Sequence, residues 1–227
     1  MYEVLFRRFV KNHDKTALPE VRFAYGNLSG RVGIAVNFLL SAVKLALGLM
    51  SGAVSVVADA VHNLADAAAS VATLLGFRLA AKPADAEHPF GHGRVEYIAG
   101  FCIAGLILLI GFKLLEASVE KILAPEPPEV SVSMLVILTA SIALQLWLGR
   151  FNKTIGERID SAAIRAAAAD SLNDCIATVV VVASLAFHYA TGIDIDGWAG
   201  VLVALFILHS GWEAARDTLQ PLLGQPP

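Results

Sequence analysis

Apolar runs of bilayer length, broken by very little charge, are the feature that most limits what this chain can fold into. Crossing the hydrocarbon core takes roughly 20 apolar residues in a helix. Within lipid, backbone polar groups must be satisfied by the spanning element itself. Six stretches suit this role: residues 32–49, 54–79, 95–122, 132–148, 162–189 and 198–215. Composition agrees, at 56% hydrophobic and 16% charged, where soluble domains carry about 25% charged residues. Mean hydropathy is +0.65. The expected class is an all-α membrane protein with six transmembrane helices.

The links between runs set the topology. Met50-Ser51-Gly52 is a short turn, Ala124 to Glu129 is a proline-rich acidic break, and Thr191 to Gly197 joins the last two runs. Lys and Arg favour the cytoplasmic side. They gather in the N-terminal segment, in the link after the second run (Arg78, Lys82, Arg94) and in that after the fourth (Arg150, Lys153, Arg158, Arg165). The opposite links hold acids, with Lys121 as the exception. Both termini are therefore expected in the cytoplasm.

Three domains follow: a cytoplasmic N-terminal segment 1–29, a six-helix domain 30–220 and a stub 221–227. The segment 1–29 mixes Arg7, Arg8 and Lys11 with Tyr2, Leu5, Phe6, Phe9 and Val10. Two readings fit it, an amphipathic helix on the inner leaflet and a disordered tail. It has no compact apolar core ending in a small-residue cleavage site, so it does not read as a signal peptide. Cys102 and Cys175 lie in apolar runs and read as small buried hydrophobes rather than a disulfide framework. The Ala-rich tract 162–169 suits close helix packing in lipid.

Against this background two polar constellations need a reason. The second run holds Asp59, His62, Asn63 and Asp66; the fifth holds Asp170, Asn173 and Asp174. Side chains three or four apart share a helix face, so His62 and Asp66 form one pair and Asp170 and Asp174 another. A carboxylate at the bilayer centre costs roughly 2.5–3.5 kcal/mol on insertion scales. The bland account is polar glue between helices, with Asp170 wet at the interface. If the two faces meet, they instead give one imidazole and three carboxylates, a divalent-cation site. Asp59 either ligates or orients a neighbour. Asn63, Asn173 and Asn37 are candidates to support the ligands, and Asn37 also fits a simple interhelical hydrogen bond.

A second dense patch lies in the link after the second run. Asp85, His88 and His92 are spaced like metal ligands in a short polar segment. Imidazole suits zinc and its neighbours, and a carboxylate can complete the shell. The alternative is a solvated loop with capping roles, which also suits Arg94 and Glu96.

Taken together, Ala58 to Asp66, Lys82 to Glu96 and Asp170 to Asp174 resemble the motifs of the cation diffusion facilitator family, and the resemblance runs from about residue 30 to 224. It implies a transport site made by His62 and Asp66 of the second span with Asp170 and Asp174 of the fifth. It also implies a variable loop site at Asp85, His88 and His92. Members of that family are homodimers that exchange a divalent metal for protons and usually move the metal out of the cytoplasm. No cofactor is expected beyond the transported ion, and no nucleic acid. The expected location is the bacterial inner (plasma) membrane.

This sequence departs from the family pattern in two respects. Zinc carriers of the family usually pair His with Asp on both spans, whereas the fifth-span pair here is Asp170 and Asp174, as in the manganese group. That group typically has Asn or Asp where this chain has His62. The expected cargo is zinc or manganese, with iron, cobalt and cadmium as further candidates. The family usually continues into a soluble cytoplasmic domain, and this sequence is expected to lack it, naturally or by truncation. A family charge pair ties the second-to-third link to the last span. Arg94 matches its basic member, while its acidic position falls on Gln220, with Asp217 a turn earlier. The rival functions are an intramembrane metalloenzyme and a membrane assembly protein. The sequence has no His-Glu-x-x-His motif, and Ser171 has no histidine beside it in sequence.

Overall fold

Helices make up most of the described chain. The computed structural model describes residues 2–16, 18–80 and 94–223. In order these form α1 (Glu3–Phe9), α2 (Pro19–Ser51), α3 (Val54–Ala80), α4 (Arg94–Leu123), α5 (Val132–Arg158), α6 (Ala162–Thr191) and α7 (Asp196–Leu222). No strand occurs among the described residues. Five of the helices, α2, α4, α5, α6 and α7, are long and apolar enough to cross a membrane. The 27-residue helices α5 and α7 are about 40 Å long at about 1.5 Å per residue. The helix α3, also 27 residues, is not among the five. Asp59, His62, Asn63 and Asp66 lower its apolarity.

Local signals account for the helix ends. Pro19 occupies the first turn of α2, where its missing N–H costs nothing. Ser131 and Ser161 cap α5 and α6 by accepting the backbone N–H of Met134 and Ile164. Gly52 closes α2 with φ 67°, in the left-handed region that glycine enters freely. Nearby, a Cβ on Gly48 would lie 2.9 Å from the backbone nitrogen of Val57. Glycine there is what lets α2 and α3 meet so closely.

Packing pairs α2 with α3, α4 with α7 and α5 with α6. The links sort to two ends. At one end, called here the turn end, lie Gly52, the 124–131 link and the α6–α7 turn. The Glu129 N–H donates to the Ser51 carbonyl at 2.8 Å, and Lys121 Nζ donates to the Gly52 carbonyl at 2.6 Å. Lys121 also pairs with Asp196 at 2.8 Å. Asp196 in turn accepts the Val54 N–H at 2.7 Å and the Ser55 hydroxyl. One buried carboxylate therefore caps α3 and fixes it to α4 and α7.

The other end, the terminal end, holds α1, the start of α2 and the α5–α6 link. Phe6, Val10, Val21, Tyr25, Leu148, Phe151, Ile155 and Ile159 form a buried cluster there. Helix α1 is thus docked on α2 and α5 through Phe6. Arg158 lies 4.9 Å from the Phe6 ring centre, donates to Tyr25 Oη at 3.1 Å and pairs with Glu3. A second buried cluster, including Val56, Leu114, Leu138, Val181, Leu185 and Ile207, fills the bundle nearer the turn end. Large apolar side chains such as Phe38, Leu109, Phe112, Val136, Ile176 and Leu202 point outward. A surface of that kind suits lipid and would be a liability in water.

Candidate metal centre

Helices α3 and α6 touch, and the contact joins the two polar faces read from the sequence. One atom each from His62, Asp66 and Asp174 lie within 4.8 Å of one another. His62 Nε2 is 2.9 Å from Asp174 Oδ1 and 3.9 Å from Asp66 Oδ2. His62 and Asp174 are buried. Asp66 is partly open, although its Oδ2 is enclosed and has no hydrogen-bond partner. The ring of Phe206 on α7 meets the His62 ring edge-on with centres 5.0 Å apart, which limits how the imidazole can turn.

Asp170 stands outside this tight group and is exposed, but it lines the same space. A cavity of about 440 Å³ between α3, α6 and α7 is bordered by His62, Asp66, Asp170 and Asp174. It extends towards the terminal end past His209, Glu213 and Asp217 of α7. A second cavity, about 240 Å³, reaches Asp66, Asp170 and Asp174 from the α2 side, past Gly30, Gly33 and Asn37. Both approach the site from the terminal end. Asn173 borders the first cavity. Asn37 borders the second, buried, with its Oδ1 unbonded.

Asp59 and Asn63 turn the other way. Lys44 of α2, fully buried, pairs with Asp59 Oδ2 at 2.8 Å. The same ammonium donates to Asn63 Oδ1 and to Thr178 Oγ1, each at 2.8 Å. The Thr178 hydroxyl proton has three acceptors in reach: the Asp174 carbonyl at 2.9 Å, and Asp59 Oδ1 and Gln145 Oε1 at 3.2 Å each. Asp59 is therefore matched by a lysine and stands apart from the group around His62. Sequence reading missed Lys44, Gln145, Thr178 and the α7 residues. Lys44 is visible as a lone charge in the first apolar run and His209 with Glu213 as a pair four apart in the last, whereas Gln145 and Thr178 carry no local mark.

A nitrogen and two carboxylates converging in an apolar interior lack compensating positive charge. A divalent cation of the first transition row fits such a mixed N and O donor set, and the unbonded Asp66 oxygen is placed to receive one. Among the described residues this is the one such group. Asp85, His88 and His92 lie outside the described residues, as do the side chains of Arg94 and Glu96.

The chain can now be set beside known proteins. It is 31% identical over 202 residues to the manganese efflux system protein MneS of Bacillus subtilis, covering 87% of this chain and 68% of that protein. It is 28% identical to the cation-efflux pump FieF of Cronobacter sakazakii, over 88% of this chain and 67% of the relative. The zinc transporter ZitB of Escherichia coli is 28% identical over 95% of this chain and 68% of its own length. The chain thus spans about two thirds of the length of these relatives. All three are named for transport and none for catalysis, which removes the metalloenzyme reading. Residues 31–223 match the cation efflux transmembrane domain, and the chain belongs to that family.

Proposed function

We propose that this protein exports a divalent transition-metal cation in exchange for protons, using His62, Asp66, Asp170 and Asp174 as the transport site. The convergence of His62, Asp66 and Asp174 within 4.8 Å at the head of two cavities carries this reading. Asp170, at the rim, would join the set when an ion draws the carboxylates together. Ligands shed protons to take up metal, so the same atoms bind either. An imidazole among carboxylates suits such an exchange near neutral pH. Six helices with both termini in the cytoplasm, a homodimer and a bacterial inner (plasma) membrane location belong to the proposal. So does the accessory loop site at Asp85, His88 and His92.

The cargo belongs to the zinc and manganese class. Oxygen donors suit manganese, and an imidazole moves the balance towards zinc, iron or cobalt. Both kinds of carrier occur among the relatives. The test is metal flux in proteoliposomes with an imposed pH gradient, using zinc and manganese in turn. Uptake that rises with the gradient is expected. Metal bound without any flux would sink the transport reading and favour an assembly role.

A further inference from the structure

The Lys44 network separates the site from the turn end. On α3, the two cavities that reach the site are bordered by His62 and residues after it; on α6, by Asp174 and residues before it. Asp59, Asn63, Thr178 and Lys44 line neither. Beside the site and up to one helical turn beyond it, these four meet in a knot at 0% exposure. A cavity of about 520 Å³ at the turn end, bordered by Gly52, Val54 and Lys121, shares no residue with the site. A further cavity of about 250 Å³ between α6 and α7 runs from Asn173 and Phe206 past the site to Val180 and Leu202, but its lining is almost wholly apolar and offers an ion few donors. An ion bound at His62 and Asp174 thus has polar open space towards the terminal end, and towards the turn end an apolar space beside α7 and a buried ammonium on the α2 side.

The chemistry of the knot is that of a cation site already filled. Asp59 Oδ2, Asn63 Oδ1 and Thr178 Oγ1 each lie 2.8 Å from Lys44 Nζ. All three donors are oxygens, from α3 and α6, and the cation comes from α2. We propose that Lys44 is the gate residue of the turn-end half of the pathway. It is a tethered cation that seals the exit, holds Asp59 out of the metal's ligand set, and must release Asn63 and Thr178 before a metal passes. Like charges add to the barrier, because a divalent ion moving past Thr178 meets the ammonium directly. Lys44 acts through the groups it holds and does not touch the site ligands.

This inference rests on the transport reading above, and its test keeps the two apart. Three proteins are reconstituted in sealed proteoliposomes: wild type, Lys44→Met/Asp59→Asn and Thr178→Val. The double variant removes both charges together, which avoids a lone buried one. Thr178→Val removes one oxygen at nearly constant volume. Metal flux down its own gradient is followed with an internal pH dye counting protons moved per metal. Metal binding is measured separately in detergent. With the seal lost, flux in the double variant is expected to rise about tenfold, the response to a gate destabilised by roughly 1.4 kcal/mol. Protons counted per metal should fall, and binding should persist. Thr178→Val should rise less. Wild-type flux and proton count in both variants, with binding intact, would overturn the gate. If the double variant does not fold, Thr178→Val decides alone, and wild-type behaviour there overturns it. Absence of flux in the wild type would instead defeat the transport reading.

Discussion

The two ends of this bundle treat charge in opposite ways. At the turn end every buried acid described has a lysine: Asp59 has Lys44 and Asp196 has Lys121, each at 2.8 Å. Towards the terminal end Asp66 and Asp174 share one histidine, and with Asp170 they open onto two cavities. A matched pair in a dry interior fixes helices to one another. On the transport reading proposed above, an unmatched carboxylate group waits for a cation from outside. The difference teaches that the cost of burying a carboxylate is met internally where the fold must hold, and left to the cargo where it must bind.

The comparison breaks most sharply where a matched pair is split. Removing one partner of a buried pair leaves an uncompensated charge and costs about 3–5 kcal/mol. Lys121→Met is expected near the low end of that range, because Asp196 keeps its bonds to Val54 and Ser55. Asp196→Ala is expected near the high end, since it strands Lys121 and also uncaps α3. Denaturant titration of the purified protein in detergent measures both. Equal losses would show that the capping bonds contribute nothing.

The same operation at the site should spare stability and remove function. Asp174→Ala takes away the carboxylate 2.9 Å from His62. Metal affinity is expected to fall by more than about 100-fold, beyond what loss of a supporting group costs. Asp170→Asn, at the exposed rim, should cost about tenfold. Titration calorimetry with zinc and manganese on folded variants checks the order. An Asp170 effect as large as that of Asp174 would make Asp170 an equal ligand of the bound ion.

A smaller effect concerns which ion is chosen. His62→Asn replaces the one nitrogen donor with oxygen. Preference should move towards manganese by about fivefold, since imidazole favours zinc and its neighbours. Competition between the two ions in the flux assay reads this. Unchanged preference would place selectivity elsewhere, with Phe206 and its edge contact on His62 the next position to vary.

How much of this was legible in the sequence differs between the two ends as well. The pairs His62 with Asp66 and Asp170 with Asp174 could be read because the helix itself sets their spacing. Asp59 was legible as a charge in need of a partner, but its partner was not. Lys44 and Thr178 are 134 residues apart, and only the packing of α2, α3 and α6 brings them together. The six expected runs correspond to six long helices, α2 to α7, of which five meet the length and apolarity of a span. The composition of α3 obscures it for the reason that makes it interesting. Asp170 and Asp174 group as one ligand pair in the sequence, with Asp170 also legible as a wet residue at the interface, and a single turn of helix does put Asp170 at the rim and Asp174 inside.

The least effect is expected at the surface of the terminal end, where Arg158 holds Glu3 and so docks α1. The guanidinium keeps the Glu3 carboxyl below its usual 4.5. A depressed carboxyl contributes stability above its unfolded value and loses it as pH falls through the folded one. Docking of α1 should therefore weaken only in acid, below about pH 4.5. The pair is exposed and screened, so the change is small. Trp147, which stacks on Phe151 beneath Tyr2, reports it by fluorescence. Glu3→Gln should remove the acid-dependent part of the signal while the Phe6 contacts keep α1 in place at neutral pH. If the variant releases α1 at neutral pH, the ion pair and not the aromatic cluster holds this end, and the contrast with the lysine-bolted turn end would be one of exposure alone.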